Sequence, residues 1–131
     1  MPLDKSELIK YSIEKADQAL KTAYDNLDKD LITANNRVYY SVFYAVTALA
    51  YIDNYVTSSH KSLMGWFNKK YIYEDKAFDP VLSKIYSQLL RNRTRFDYNI
   101  AEFPDKETVI DNYNKAKLFV NTLREYIKGL E

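Results

Sequence analysis

Leu31-Ile32-Thr33-Ala34-Asn35-Asn36-Arg37-Val38-Tyr39-Tyr40-Ser41-Val42-Phe43-Tyr44-Ala45-Val46-Thr47-Ala48-Leu49-Ala50-Tyr51-Ile52-Asp53 is the stretch on which the fold turns. It holds no Gly or Pro, and from Val38 onward it is apolar nearly all round, the mark of a helix contacted on several sides. It predicts the centre of a helical bundle. Its most apolar part, Val38 to Ile52, is 15 residues long and includes Ser41 and Thr47, short of the roughly 18 to 20 needed to span a bilayer. No membrane span is expected. Met1 to Asp17 carries Asp4, Lys5, Glu7, Lys10, Glu14 and Lys15 interspersed, which does not read as a secretory signal. The expectation is a cytoplasmic protein.

Working outward, Asp4 with Glu7 three residues later is a capping-box pattern, followed by Ile9, Ile13, Ala16, Leu20, Ala23 or Tyr24, and Leu27 at steps of three and four. A first helix is predicted from about Asp4 to Asn26. After the central helix, Asn54 to Ser59 is a connection, and Ser59 can cap a short helix from His60 to about Tyr71 with Leu63, Met64 and Phe67 on one side and Gly65 in its interior. Asp79-Pro80 is a cap and first-turn signal for a fourth helix that Val81, Leu82, Ile85, Tyr86, Leu89 and Phe96 carry to about Tyr98. Asn99 to Pro104 breaks it. Asp105 then caps a fifth helix with Val109, Tyr113, Ala116, Val120, Leu123, Ile127 and Leu130 at heptad spacing, ending near Gly129. The predicted architecture is all-α: an up-and-down bundle of four long helices plus one short one, in a single domain over residues 1–131.

Composition agrees and removes several function classes. Two Gly and three Pro among 131 residues leave too little punctuation for a β-rich fold. Zero Cys excludes a disulfide scaffold, a thiolate metal site and a cysteine nucleophile, and a single His excludes any site needing two histidines from one chain. No metal or cofactor is expected. With 19 basic and 18 acidic residues the formal charge is +1, so any nucleic-acid site has to be local rather than a global basic field. The thirteen tyrosines outnumber the six phenylalanines. They supply apolar area with a hydroxyl that can stay wet.

Polar residues interrupt the apolar pattern in three places. Arg37 sits at the edge of the most apolar helix. It either snorkels to the surface or bonds an acidic neighbour, or it faces a cleft. The fourth helix ends in Arg91-Asn92-Arg93-Thr94-Arg95-Phe96-Asp97-Tyr98. Cations near a helix C-terminus are favoured by the dipole, but Arg91 and Arg95 form a like-charge i,i+4 pair, easier to understand beside a carboxylate such as Asp97 or beside a phosphate. Ideal helical geometry places Arg91 and Tyr98 on nearly the same face, with Arg93 rotated away. His60, in Ser58-Ser59-His60-Lys61, is either a capping or packing residue or a titrating group of a site.

Three of these segments together resemble one family. Asn36-Arg37-Val38-Tyr39-Tyr40-Ser41-Val42-Phe43-Tyr44-Ala45 is similar to its second-helix run, Ser59-His60-Lys61-Ser62 followed by Phe67 to its short third helix, and Arg93-Thr94-Arg95-Phe96-Asp97-Tyr98 to its helix-four ending. The family is the HEPN domain (higher eukaryotes and prokaryotes nucleotide-binding), in its small stand-alone prokaryotic branch. The resemblance spans nearly the whole chain. It implies a helical bundle that pairs into a homodimer, often encoded beside a minimal nucleotidyltransferase as a toxin and antitoxin pair, with many members metal-independent ribonucleases.

Catalytic members carry an Arg, four to six residues, then a His, with the motifs of two protomers meeting in one cleft. Here Tyr98 stands where that histidine would fall, with four residues between it and Arg93 and six between it and Arg91. Metal-free RNA cleavage needs a base for the 2′-hydroxyl, an acid for the leaving oxygen and cations on the developing charge. Arginine can do the last, whereas tyrosine, with an ordinary pKa of about 10, is a poor base near neutral pH. In some pairs the partner transfers AMP onto a tyrosine just after the motif, a role Tyr98 would take only by a shift in register.

Two expectations follow. The first is a toxin-like or accessory half of a nucleotidyltransferase pair with an Arg-lined cleft for RNA or nucleotide phosphate, Arg93, Tyr98 and Asp97 acting in catalysis and Arg37, Arg91, Arg95 and His60 in binding. The second is a catalytically inactive HEPN module that acts only by complexing a partner protein.

Overall fold

The computed structural model describes residues 3–131. Five α-helices follow one another: α1 (Lys5–Asp25), α2 (Leu31–Ile52), α3 (His60–Phe67), α4 (Val81–Tyr98) and α5 (Lys106–Gly129), with a π-helical segment, Asn68–Glu74, continuing α3. Side-chain caps begin most of them. Asp4 accepts from the Glu7 amide at 2.8 Å, Ser59 from Ser62 at 3.1 Å and Asp105 from Thr108 at 3.0 Å, each satisfying an amide that the helix leaves free. Asp30 caps α2 through both the amide and the hydroxyl of Thr33. At α4 the Asp79 carboxylate accepts from the Val81 amide at 2.8 Å across Pro80.

The C-terminus of α2 closes without a glycine. Asn54 takes φ 58°, the Tyr55 amide donates to the Ala50 carbonyl and the Asn54 amide to that of Tyr51, a Schellman motif with asparagine in the left-handed position. The predicted third helix needs one correction. Its regular α geometry stops at Phe67, and the chain widens to π turns before Tyr71 is reached. The wider turns bury the consecutive Tyr71 and Ile72 together, with the Tyr71 hydroxyl donating to Asp53 at 2.5 Å.

Cross-helix pairs fix the direction of each helix. Lys106 bonds Asp28, Tyr113 packs on Tyr24 and Arg124 bonds Asp17, so α5 runs antiparallel to α1. Asn36 meets Asp97, Tyr40 meets Arg93, and Lys115 reaches Gln88, so α4 is antiparallel to both α2 and α5. The four long helices therefore run up, down, up and down, with α2 packed against each of the others.

Val38, Val42, Ala45, Val46 and Leu49 of α2 are fully buried, as the all-round apolar pattern requires. On α5 the heptad residues Val109, Ala116, Val120 and Leu123 are buried, joined by Phe119 and Asn112; Leu130 is exposed. An aromatic cluster of Phe67, Tyr71, Phe78, Tyr86 and Phe119 joins α3, α4 and α5, with neighbouring ring centroids 5.5 to 6.0 Å apart. Burying one such side chain stabilises by roughly 1.5–3 kcal/mol. Beside it, the chain's single tryptophan, Trp66, stacks on Tyr55 at 4.9 Å with the planes 5° apart.

Candidate anion site between α2, α3 and α4

Two i,i+4 pairs build the site. Asn36 and Tyr40 share one face of α2, and Arg93 and Asp97 share one face of α4. Because the helices are antiparallel, the pairs meet crosswise. The Asn36 amide donates to Asp97 Oδ2 at 2.7 Å, and Arg93 donates to the Tyr40 hydroxyl at 3.1 Å. Arg93 Nε also lies 3.3 Å from Asp97 Oδ2, a charge contact not aligned as a hydrogen bond, and both side chains are only 15% exposed. Asn35 adds a bond to the Asn92 carbonyl at 3.3 Å.

Around this cross, cations and aromatic rings alternate. The Arg37 guanidinium lies 4.8 Å from the Tyr40 ring and bonds the Asn36 amide oxygen through two nitrogens, at 2.9 and 2.7 Å. Those two bonds fix which end of the Asn36 amide faces Asp97. Arg37 has only this neutral acceptor, and no carboxylate pairs with it among the described residues. One turn further along α2, Lys15 of α1 sits over Tyr44 at 5.6 Å. Arg93 lies against Tyr39, Tyr40 and Tyr98, with its guanidinium carbon 5.8, 5.4 and 5.3 Å from the three rings.

Of the candidate residues, Arg37, Arg93, Asp97, Tyr98 and His60 come together. Arg91 and Arg95 do not join them. Arg91 bonds Ser87 at 2.7 Å, while Arg95 forms a fork on Glu102 at 2.6 and 3.2 Å, so Glu102 is the carboxylate that answers the like-charge pair. The facing of Arg91 with Tyr98 is likewise corrected. It is Arg93 that reaches the Tyr98 hydroxyl, at 3.2 Å, because Tyr98 is the last residue of α4 and the long guanidinium spans five positions. Tyr98 is 68% exposed.

His60, the first residue of α3, arrives from the other side. Its Nδ1 lies 2.5 Å from the hydroxyl of the fully buried Tyr39, and its ring stacks on Phe43 at 4.6 Å and stands edge-on to Tyr40 at 5.8 Å. Nothing in the sequence spacing places it near Arg93, yet both rest on the same two tyrosine rings. Burial, and after it the Arg93 charge, hold the His60 pKa below its ordinary value of 6.5. Burial pushes the Tyr39 hydroxyl well above the ordinary tyrosine value, against a smaller opposing pull from Arg93. The sequence offers Tyr39 and Tyr40 only as two of thirteen tyrosines supplying apolar area; the signal that would have found them is the pair of i,i+4 spacings, Asn36/Tyr40 and Arg93/Asp97.

A groove of about 750 Å³ at the opposite end of α2 contains none of these residues; Ile9, Ile13, Ile52 and Ile127 line it. Among the described residues no group of three His, Asp or Glu side chains could hold a metal, and no helix is long and apolar enough to cross a membrane.

The chain is similar to a UPF0332 protein of Thermotoga maritima, 30% identical over 98% of this chain and 97% of the relative. It is also similar to a Methanocaldococcus jannaschii protein bearing the name "Putative toxin MJ0142", 27% identical over 88% of this chain and 78% of the relative. The HEPN domain matches residues 9–126. With that match across nearly the whole bundle, and with the crossed pairs of α2 and α4 inside it, the chain belongs to the HEPN domain family.

Proposed function

We propose that this protein is the toxin-like half of a nucleotidyltransferase toxin and antitoxin pair in the cytoplasm, acting as a homodimer of single-domain protomers on RNA or nucleotide phosphate. The observation that carries the reading is the surplus of positive charge at the crossed pairs: Arg93 is paired with Asp97, whereas Arg37 and Lys15 have no carboxylate paired with them among the described residues. A phosphate is the anion such a surplus favours. Cations interleaved with aromatic rings also suit single-stranded RNA, whose bases stack and whose backbone is charged.

For cleavage, Arg93 and Arg37 would hold the non-bridging oxygens as charge develops on phosphorus, the Tyr98 hydroxyl would give a proton to the leaving oxygen, and a solvent water would take the proton of the attacking 2′-hydroxyl. Its oxygen already accepts from Arg93, which leaves its proton free for that use. Pairing of two protomers is supported by exposed apolar residues beside this site: Tyr98, Ile100 and Phe103, the last two 95% and 73% exposed.

The test is incubation of the purified protein with labelled single-stranded RNA in the presence of a metal chelator. Cleavage or binding that is lost in Arg93→Ala, with the variant still folded, is the expected result. If wild-type protein neither cleaves RNA nor binds RNA or AMP, the reading is wrong. Light scattering that shows a monomer across micromolar concentrations would remove the dimer.

A second reading, an inactive HEPN module that only complexes a partner protein, is favoured by one observation. The Asn36–Asp97 and Arg93–Tyr40 bonds already tie α2 to α4. Under that reading Arg93→Ala lowers thermal stability as its main effect and leaves RNA and nucleotide experiments unchanged.

A further inference from the structure

The histidine absent from the end of α4 has a counterpart at the start of α3, and its hydrogen bonding decides what it can do. Tyr39 is fully buried, and His60 Nδ1 is the one hydrogen-bond partner of its hydroxyl among the described residues. The two groups can share that bond in two ways. If Nδ1 carried the proton and donated, the tyrosine hydrogen would be left buried with nothing to bond, a penalty that buried polar groups avoid. If the tyrosine donates, Nδ1 accepts and both groups are satisfied. A neutral imidazole that accepts at Nδ1 carries its proton at Nε2.

Nε2 has no protein partner among the described residues. The ring that carries it is clamped between Phe43 at 4.6 Å and the edge of Tyr40 at 5.8 Å. Arg93 lies 5.4 Å from that same Tyr40 ring. The remaining proton of His60 is therefore held on a ring packed against Tyr40, within reach of the Arg93 charge.

We propose that His60 is the second anion contact of the site: a neutral Nε2–H donor, set by Tyr39, that binds a phosphate oxygen together with Arg93. The inference rests on the phosphate-binding reading above and adds to it the tautomer of His60 and its role. His60 donates a hydrogen bond and takes no proton from a 2′-hydroxyl, because its acceptor nitrogen is already occupied. Tyr39 touches no ligand and is a positioning residue. Lowering of the histidine pKa by burial and by Arg93 acts in the same direction, keeping the ring neutral beside a cation.

Having one histidine makes the experiment clean, since a long-range 1H–15N spectrum of the labelled protein contains a single imidazole. The expected spectrum at neutral pH is the Nε2–H tautomer, and titration with inorganic phosphate or a short single-stranded RNA shifts Nε2 more than Nδ1. In parallel, His60→Ala should weaken RNA binding about tenfold or more, the loss expected for one hydrogen bond to a charged acceptor. His60→Gln, whose amide nitrogen can stand near the Nε2 position, should restore part of it. Tyr39→Phe should return the ring to mixed tautomers and weaken binding several-fold with the helical spectrum intact.

An Nδ1–H tautomer in the free protein overturns the inference. So does RNA binding that needs Arg93 but is unchanged in His60→Ala, an outcome that leaves the phosphate-binding reading standing. Absence of any Arg93-dependent binding removes both.

Discussion

Asp97→Ala sets stability and anion affinity against each other. The carboxylate accepts the Asn36 amide at 2.7 Å and lies 3.3 Å from Arg93 Nε, with both ionic side chains 15% exposed. A hydrogen bond to a charged, mostly buried acceptor is worth about 1.5–3 kcal/mol. The misaligned charge contact adds only about 0.5 kcal/mol. The expected loss is therefore about 2–3.5 kcal/mol, which at a urea slope near 2 kcal/mol/M lowers the unfolding midpoint by about 1–1.8 M. Asp97→Asn keeps an acceptor for Asn36 and should cost about 1 kcal/mol. Removing the negative charge also leaves the site one unit more positive. At about 6 Å in a water-like dielectric that is worth ~0.7 kcal/mol, or about threefold tighter phosphate or RNA binding. Urea unfolding followed by circular dichroism, and fluorescence anisotropy with labelled RNA, read the two quantities separately. A stability loss under about 0.5 kcal/mol, or weaker RNA binding by a folded Asp97→Ala protein, would refute the crossed-pair argument.

The remaining predictions concern the frame and its acid response. Phe67→Ala removes the ring at the centre of the aromatic cluster and should cost about 3–5 kcal/mol by chemical denaturation. Gly65 lies inside α3 with open space where a Cβ would go, so Gly65→Ala should stabilise by about 0.5–1 kcal/mol; a loss of stability would show that this turn of α3 is not helical. Asp30→Ala should cost about 1 kcal/mol through the lost cap of α2. The Asp30 pKa is depressed by its Thr33 bonds, so this contribution is present above the ordinary Asp value of about 3.9 and disappears as pH falls below it. For His60, whose folded pKa lies below 6.5, the unfolded chain binds more protons between the two values. Stability is therefore full above 6.5 and falls as pH drops through that window, a slope that His60→Gln should remove in unfolding curves taken at several pH values.

Much of the frame was legible because it depends on local signals. Caps at Asp4, Ser59, Asp79 and Asp105 and the apolar steps of α1, α2, α4 and α5 are fixed within one or two turns of chain, and the structure follows them. The end of α3 was not legible, since the π turns after Phe67 are set by burial of Tyr71 and Ile72 against other helices rather than by their own residues. The site divides in the same way. Arg93, Asp97 and Arg37 could be picked out as charges interrupting apolar patterns. That Tyr39 and Tyr40 link His60 to Arg93 is a property of how α3 lies against α2, and no spacing along the chain encodes it. Arg91 and Arg95 drew attention through their like charge, but Glu102, beyond the helix, answers it.

The stacked pair of Trp66 and Tyr55 gives the protein an optical reporter that needs no label. The indole is the chain's single tryptophan and sits on α3, six residues after His60, while its stacking partner lies on the connection leading out of α2. Emission at tryptophan wavelengths thus reads the seating of one short helix and not the average of the bundle. If an anion bound at His60 changes how α3 is seated, the indole reports it, and the colour and intensity of its fluorescence follow in real time.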